Sequence, residues 1–333
     1  MPILAVARNA FLESIRQPVF VVVVGIGVLA LVLNVNLAAF AFEDDNKLLI
    51  DLGLSTLFLV GILLAAFNAT GVLANEIENK TVLTVVSKPV SRPTLVIGKY
   101  LGVAAAIAVG FWSLTAVFLL AVRHRVQMGV RMDDTFDLPV LVFSLLFGGL
   151  ALLVAGLANY LSRRPFPSVF AVSLAVALTL ALGVVACIDR DWGFQNPLIE
   201  WKPQLMMAIG LVFQAVLVLA AVAIAASTRL GQVPTLAVCF GAFLVGLVSE
   251  YFLGTTVWGG QDAGGEQNAL ARFAAWPVYA AIPNMQFFWS ADALTQGNAM
   301  TAAYFGTVSL YAALLVVALM SLAVLLFQGR DVG

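Results

Sequence analysis

Charged side chains are scarce in this sequence: Asp, Glu, Lys and Arg make up 11% of its residues, against about 25% in ordinary soluble domains. With 62% hydrophobic residues and a mean hydropathy of +1.02, the chain has too little polar surface to dissolve in water. Histidine is nearly absent, and the single one, His124, excludes a histidine metal cluster and leaves no Ser/His/Asp or His/Cys set for hydrolytic or metal chemistry. The two cysteines, Cys187 and Cys239, show no CxxC spacing and read as buried thiols acting as small hydrophobes. No GxxxxGK[ST] loop occurs, so ATP is not bound by that route. The net charge of −1 gives no basic signature for nucleic acid. A cleavable signal peptide is not expected either. Arg8, Glu13 and Arg16 interrupt the first turns, and the apolar run from Pro18 is long enough to span and remain as an anchor.

What the sequence does contain is long uncharged runs. A hydrocarbon core of about 30 Å requires roughly 20 helical residues at about 1.5 Å each. Runs without a charge cover 17–42, 52–75, 100–122, 138–162, 165–188, 203–228, 230–249, 273–291 and 293–329. Pro277, Pro283, Asn284 and Gln286 interrupt the run from 273, where a spanning helix would leave backbone groups unpaired in lipid. The expected fold is therefore all-α and polytopic, with about eight transmembrane helices near 18–42, 52–74, 100–122, 138–160, 167–188, 204–227, 233–253 and 301–327. These form a single transmembrane domain over 18–333.

Residues 1–17 read as an amphipathic helix in the membrane interface. Ile3, Leu4, Ala7, Phe11 and Ile15 share a stripe, and Glu13 and Arg16 stand three apart, a spacing that lets them pair. The alternative is the solvated start of the first span. Between the second and third spans, 75–99 is too polar to cross and is the one segment on its side large enough to dock a partner. Ser91, Arg92 and Pro93 place a hydroxyl cap and a first-turn proline at the start of the third span. The alternative is a solvated loop. GLANYLSRRPFPSVFAV and AIAASTRLGQVPTLAV form a weak internal repeat in which a small-residue helix ends in a basic turn and Pro-Ser or Pro-Thr opens the next. Arg163 and Arg164 each cost about 2.5 to 3.5 kcal/mol at mid-bilayer, so the chain turns there. From 254 to 300 runs the longest excursion outside lipid, with GGQDAGGEQN as a flexible stretch and 269–282 as a short surface helix.

With eight spans both termini share a side with 75–99, 161–167 and 228–232, and that side carries 10 of the 17 Lys and Arg. The bias places both termini in the cytoplasm, although Arg123, Arg125 and Arg131 cluster on the other side. The middle of every span is free of Asp, Glu, Lys and Arg. A carrier driven by protons or sodium usually holds ionisable groups there, so any work done draws on another chain. Asp51 and Glu250 fall near span ends and read as interfacial carboxylates; Asn68, Asn159 and Gln214 read as interhelical hydrogen-bonding groups.

The segment EIENKTVLTVVSKPVSRPTLVIGKYLG resembles the cytoplasmic loop between the second and third spans of ABC-2-type transporter permeases, where E-I-E-x-K-T, S-K-P-V-S-R and G-K-x-x-G recur. ARNAFLESIRQPVF is similar to that family's interfacial entry helix, IPNMQFFWSADAL to its outer segment, and LFQGRDVG to its tail. In pattern the nearest subgroup is the permease of the copper-processing transporter that matures nitrous oxide reductase. The chain exceeds a six-span plan by one hairpin between the fourth and seventh spans. The resemblance implies a non-catalytic permease subunit of an exporter in the bacterial inner membrane. Two permeases, identical or related, would pair with two cytoplasmic ABC ATPase subunits, which hold ATP and Mg while this chain holds no cofactor. Glu76, Glu78, Lys80 and Thr81 would seat in the ATPase, and Lys88, Pro89, Ser91 and Arg92 would form the hinge into the third span. Membrane lipids are the other partner, and nucleic acid is not one. Two rival classes stay open: a carrier or channel that needs no nucleotide, and a membrane scaffold or sensor.

Overall fold

The computed structural model describes residues 2–40, 45–78, 91–126, 136–254 and 282–328, together with Val257, Phe273, Trp276, Pro277 and Tyr279; at 72–78 and at 200 it describes the backbone alone. Among these residues ten α-helices follow in order. They are α1 (Pro2–Arg16), α2 (Pro18–Ala38), α3 (Asp45–Glu78), α4 (Arg92–His124), α5 (Leu138–Ser162), α6 (Phe166–Ala186), α7 (Pro203–Ser227), α8 (Gln232–Ser249), α9 (Ala291–Thr295) and α10 (Ala302–Gln328). The chain is an all-helical, polytopic membrane protein: all of these except α1 and α9, eight in number, are long and apolar enough to cross a bilayer. The described residues hold no strand beyond one antiparallel bridge between Ile188 and Phe194.

Proline placement explains most of the helix starts. α2, α4, α5, α6 and α7 each carry a proline at the first or second helical position, where a missing N–H costs nothing and the fixed φ suits the helix. α3 begins at Asp45, ahead of the run that opens at Leu52, and α4 begins at Arg92, ahead of Tyr100. A helix stops where a cap or a proline stops it, and a polar side chain on an exposed turn does not end it. The stretch 75–99 is accordingly helical at both ends, through Glu78 and from Arg92.

Burial separates a centre from a rim. In α7, 72% of the most apolar stretch is buried, in α4 67% and in α3 56%, whereas α5 and α8 bury 17% each. α3, α4 and α7 pack on one another, with α2 against α3 and α4 and with α10 against α7. Lipid is as apolar as leucine, so such contacts depend on close fit more than on hydrophobic transfer. Small residues supply that fit. A Cβ on Gly53 of α3 would fall 1.9 Å from the fully buried Phe118 ring of α4, and one on Gly61 would fall 2.5 Å from Val216 of α7. The α5–α6 hairpin joins this centre through α6 on α4, while α5 lies chiefly against α6.

Both halves of the weak repeat are helical hairpins, α5–α6 and α7–α8. The first turns at Arg163, which takes a left-handed conformation with φ 50°, and Asn159 donates to the Arg164 carbonyl at 2.8 Å. Arg163 and Arg164 therefore sit at an exposed tip.

α1 buries only part of its apolar stripe, Ile15 fully and Ala7 and Phe11 partly, and brings Ala10 and Ser14 into the contact as well. Ala10, Ser14 and Ile15 are buried, whereas Leu4 is 70% exposed and Ile3 38%. The cause lies on α4: a Cβ on Gly102 would come within 2.3 Å of the Ala7 carbonyl and 2.6 Å of Ala10, and one on Gly98 within 2.8 Å of Val6. A glycine groove selects the smallest residues of the partner helix, so smallness outranks hydrophobicity here.

Beyond α8 the helix widens into a π turn over Glu250–Gly254. The excursion then folds back: Met285 N–H donates to the Gly246 carbonyl at 3.1 Å, Met285 and Phe288 are fully buried, and α9 packs on α3 and α7. Gln204 and Met300 exchange two hydrogen bonds, of 3.3 and 2.8 Å. Residues 282–300 thus close one end of the bundle. GGQDAGGEQN and most of 269–282 lie outside the described residues.

Candidate coupling face and polar clusters

The segment between α3 and α4 is fixed where it enters α4. Ser91 has extended backbone (φ −67°, ψ 145°), and its hydroxyl accepts from Thr94 N–H at 3.4 Å. Arg92 follows as the first helical residue and reaches across the bundle. Its guanidinium donates to the carbonyls of Gln328 at 2.6 Å and Phe327 at 3.4 Å, and it lies 6.0 Å from the centroid of the buried Phe327 ring. The last carbonyls of a helix lack intrahelical partners and carry its partial negative charge, so a cation there caps α10. Glu76 and Glu78 occupy the final turn of α3, described as backbone. Lys80, Thr81, Lys88 and Pro89 lie outside the described residues.

α1 completes this face. Phe11 is half-buried, and Glu13 and Arg16, with Asn9, Leu12, Gln17 and Pro18, line an open groove of about 500 Å³. The Gln17 side-chain amide lies against Gly71 of α3, where a Cβ would meet it at 2.5 Å. Four elements therefore meet on the side of the N-terminus: the end of α1, the late turns of α3, the start of α4 and the end of α10. Phe11, Glu13, Arg16, Ser91 and Arg92 are all on it.

Two further clusters at the other end of the bundle escape a reading of the sequence. Asp137 is fully buried and caps α5 by accepting from Val140 N–H at 3.2 Å. Its other oxygen accepts from Arg123 Nε of α4 at 3.3 Å and lies 3.7 Å from Arg190 Nε. Arg123 also donates to the carbonyls of Val185 and Ile188, tying α4, α5 and the end of α6 together. Asp137-Leu138-Pro139 has the same cap and proline arrangement as Ser91-Arg92-Pro93, and that was the available signal. In the second cluster Glu250, in the π turn, accepts from Tyr279 Oη at 2.7 Å and Asn284 Nδ2 at 2.6 Å, and Tyr311 of α10 accepts from Asn284 N–H at 3.0 Å.

Of Asn68, Asn159 and Gln214, Gln214 alone bridges helices, donating to Ser309 of α10 at 2.9 Å. Asn68 donates within its own helix to Leu64 at 2.7 Å, and Asn159 serves the α5 turn. Asn34 of α2 forms a bridge not anticipated from its position, donating to Thr56 and to the Leu52 carbonyl of α3 at 2.8 and 3.1 Å. Among the described residues no three His, Cys, Asp or Glu side chains converge as metal ligands. The arrangement holds helices in register. The chain matches no known protein family, no curated protein and no solved structure.

Proposed function

We propose that this chain is the permease subunit of an ATP-binding cassette exporter in the bacterial inner membrane. Both termini face the cytoplasm, and ATP is hydrolysed on a separate ATPase. One observation carries the proposal: the segment 79–90 is joined directly to α3 and α4, two of the three most buried helices, on the side where α1 and α10 also end. A partner that displaces this segment pulls on two helices of the bundle centre. The likeness of 76–102 to the ABC-2 coupling loop supports the same reading and supplies the kind of partner.

In this mechanism, ATP binding closes the ATPases, Glu76, Glu78, Lys80 and Thr81 follow the ATPase surface, and Lys88, Pro89, Ser91 and Arg92 carry the movement into α4. A partner biases a two-state element only through contacts that differ between the states. Arg92 makes such a difference concrete, because tilting α4 breaks or remakes its bonds to the end of α10.

The test is extraction of the tagged, full-length chain from native membranes, with identification of bound proteins and assay of ATP hydrolysis. The expected result is a co-purifying ATPase whose turnover depends on the chain, and E76Q and K80Q are expected to uncouple that turnover while leaving the chain folded. Wild-type coupling in both variants argues against the proposal. Transport by the purified chain alone in liposomes, or capture of another partner with no ATPase, replaces it with the carrier or scaffold reading.

A further inference from the structure

Residues 187–202, between α6 and α7, display large apolar side chains outward. Phe194 is 98% exposed, Leu198 73%, Ile199 69%, Trp201 62% and Trp192 52%. Such a concentration beside the bundle marks a surface made for contact. The segment is nonetheless tightly built. Asp189 N–H donates to the Gly193 carbonyl at 2.7 Å, Gln195 N–H to Cys187 at 3.0 Å, and Gln195 Nε2 to Ala186 and Ile188 at 3.3 and 3.2 Å. Trp192 takes a left-handed φ of 63°, a conformation unfavourable for a bulky side chain that persists only where its surroundings enforce it.

The direction of the display identifies what covers it. The Trp192 ring lies 6.2 Å, centroid to centroid, from Phe143, which is five residues inside α5. At about 1.5 Å per residue this is about 7.5 Å along a membrane-spanning helix from its start. The 3-10 turn Pro197–Glu200 packs against α6. The segment thus returns alongside the spanning helices, while Asp189, Asp191 and Asn196 are exposed and bracket the apolar residues with polar ones. Tryptophan with an apolar neighbour on one side and a polar one on the other favours the boundary between headgroups and acyl chains.

We propose that 187–202 is an interfacial wedge seated in the leaflet opposite the termini, with Trp192, Phe194, Leu198, Ile199 and Trp201 among phospholipid acyl chains. Arg123 holds the carbonyls of Val185 and Ile188, so the wedge is fastened to α4 and α5 through the Asp137 cluster. The inference holds whatever the chain transports.

The sequence has six tryptophans, which makes fluorescence the test. Full-length chains retaining only Trp192 or only Trp201 are reconstituted in phosphatidylcholine vesicles brominated either near the headgroup or near the chain end. Both residues are expected to emit at short wavelength, to lose most of their emission to bromines near the headgroup, and to resist iodide added to the water. Should those chains not fold, the same quantity is the difference in bromolipid quenching between wild-type protein and W192F or W201F. Strong iodide quenching with little bromolipid quenching overturns the proposal, and so does shielding from iodide that appears only when a protein partner is added.

Discussion

Arg92, the first residue of α4, donates to the backbone carbonyl of Gln328, the last residue of α10, at 2.6 Å. The bond joins positions 236 residues apart, and it makes one arginine both the entry to α4 and the cap of the final helix. Replacing it separates the two roles. Arg92→Gln removes the cation from the helix terminus, where such charges contribute about 0.3 to 1 kcal/mol. Faster amide hydrogen exchange in the last turn of α10, with the rest of the bundle unchanged, is the expected outcome. Arg92→Lys should restore part of the protection, because it keeps the charge and loses the forked geometry.

The seat of α1 is set by the absence of side chains on α4. Gly102→Ala places a methyl group 2.3 Å from the Ala7 carbonyl, a backbone atom that cannot move alone. Overpacking of this kind costs about 1 to 3 kcal/mol. Gly148→Ala in α5 meets nothing within 4 Å and gains about 0.8 to 1 kcal/mol of helix propensity instead. Opposite shifts in unfolding temperature, with α1 more open to protease in the Gly102 variant alone, are expected. A Gly102 variant as stable as wild type would show that α1 is not held in this groove.

Asp137 joins a helix cap and an ion pair in one buried carboxylate. Asp137→Ala leaves Arg123, only 8% exposed, without its counter-charge, a change that costs about 3 to 5 kcal/mol. Asp137→Asn keeps an acceptor for Val140 N–H and should lose less. The double variant Arg123→Met with Asp137→Leu should recover much of the loss, because the buried charges leave together and Arg190, 33% exposed, can turn to water. Thermal unfolding of wild type, Asp137→Leu, Arg123→Met and the double variant forms a double-mutant cycle, and additive losses would exclude the pairing as the source of stability.

Gln214 holds α7 to α10 by one bond from Nε2, while its Oε1 is buried with no partner. Interhelical bonds in membranes average about 0.6 kcal/mol, and Gln214→Met also removes the orphaned oxygen. The two effects oppose each other, so the net change should stay under about 1 kcal/mol. A large destabilisation on unfolding in detergent would mean that Oε1 has a partner in the membrane.

The eight spans are legible in the sequence because charge so reliably delimits lipid-embedded helix, and all eight runs became helices. Their ends are less so: α3 starts at Asp45, seven residues ahead of its uncharged run, and α4 starts at Arg92 because the Ser91 cap and Pro93, which say nothing of membrane depth, open it there. Part of the α1 seat is legible, since Ala7, Phe11 and Ile15 of its stripe turn inward, but the burial of Ala10 is not, because it depends on Gly102, nearly a hundred residues away. The Asp137 cluster was hidden for a related reason. Arg123 and Arg190 look like ordinary loop charges, and only the packing of α4 beside α6 turns them toward a single carboxylate. Of the proposed coupling segment, the fold adds that both attached helices belong to the bundle centre.

Orientation carries the functional reading, and two exposed positions at opposite ends of the bundle decide it. Arg164 is at the α5–α6 tip, on the side of the N-terminus, and Asp191 is in the wedge, on the other side. Cys187 is exposed and must be removed first, whereas Cys239 is buried and can stay. In a Cys187→Ala background, a membrane-impermeant maleimide should label Asp191→Cys in intact spheroplasts and Arg164→Cys only after permeabilisation. Because an even number of spans puts both termini, Arg164 and the segment 79–90 on one side, a single reversed result moves the coupling segment out of the cytoplasm. No ATP-driven partner could then reach it, and the connection between α3 and α4 would have to answer to something outside the cell.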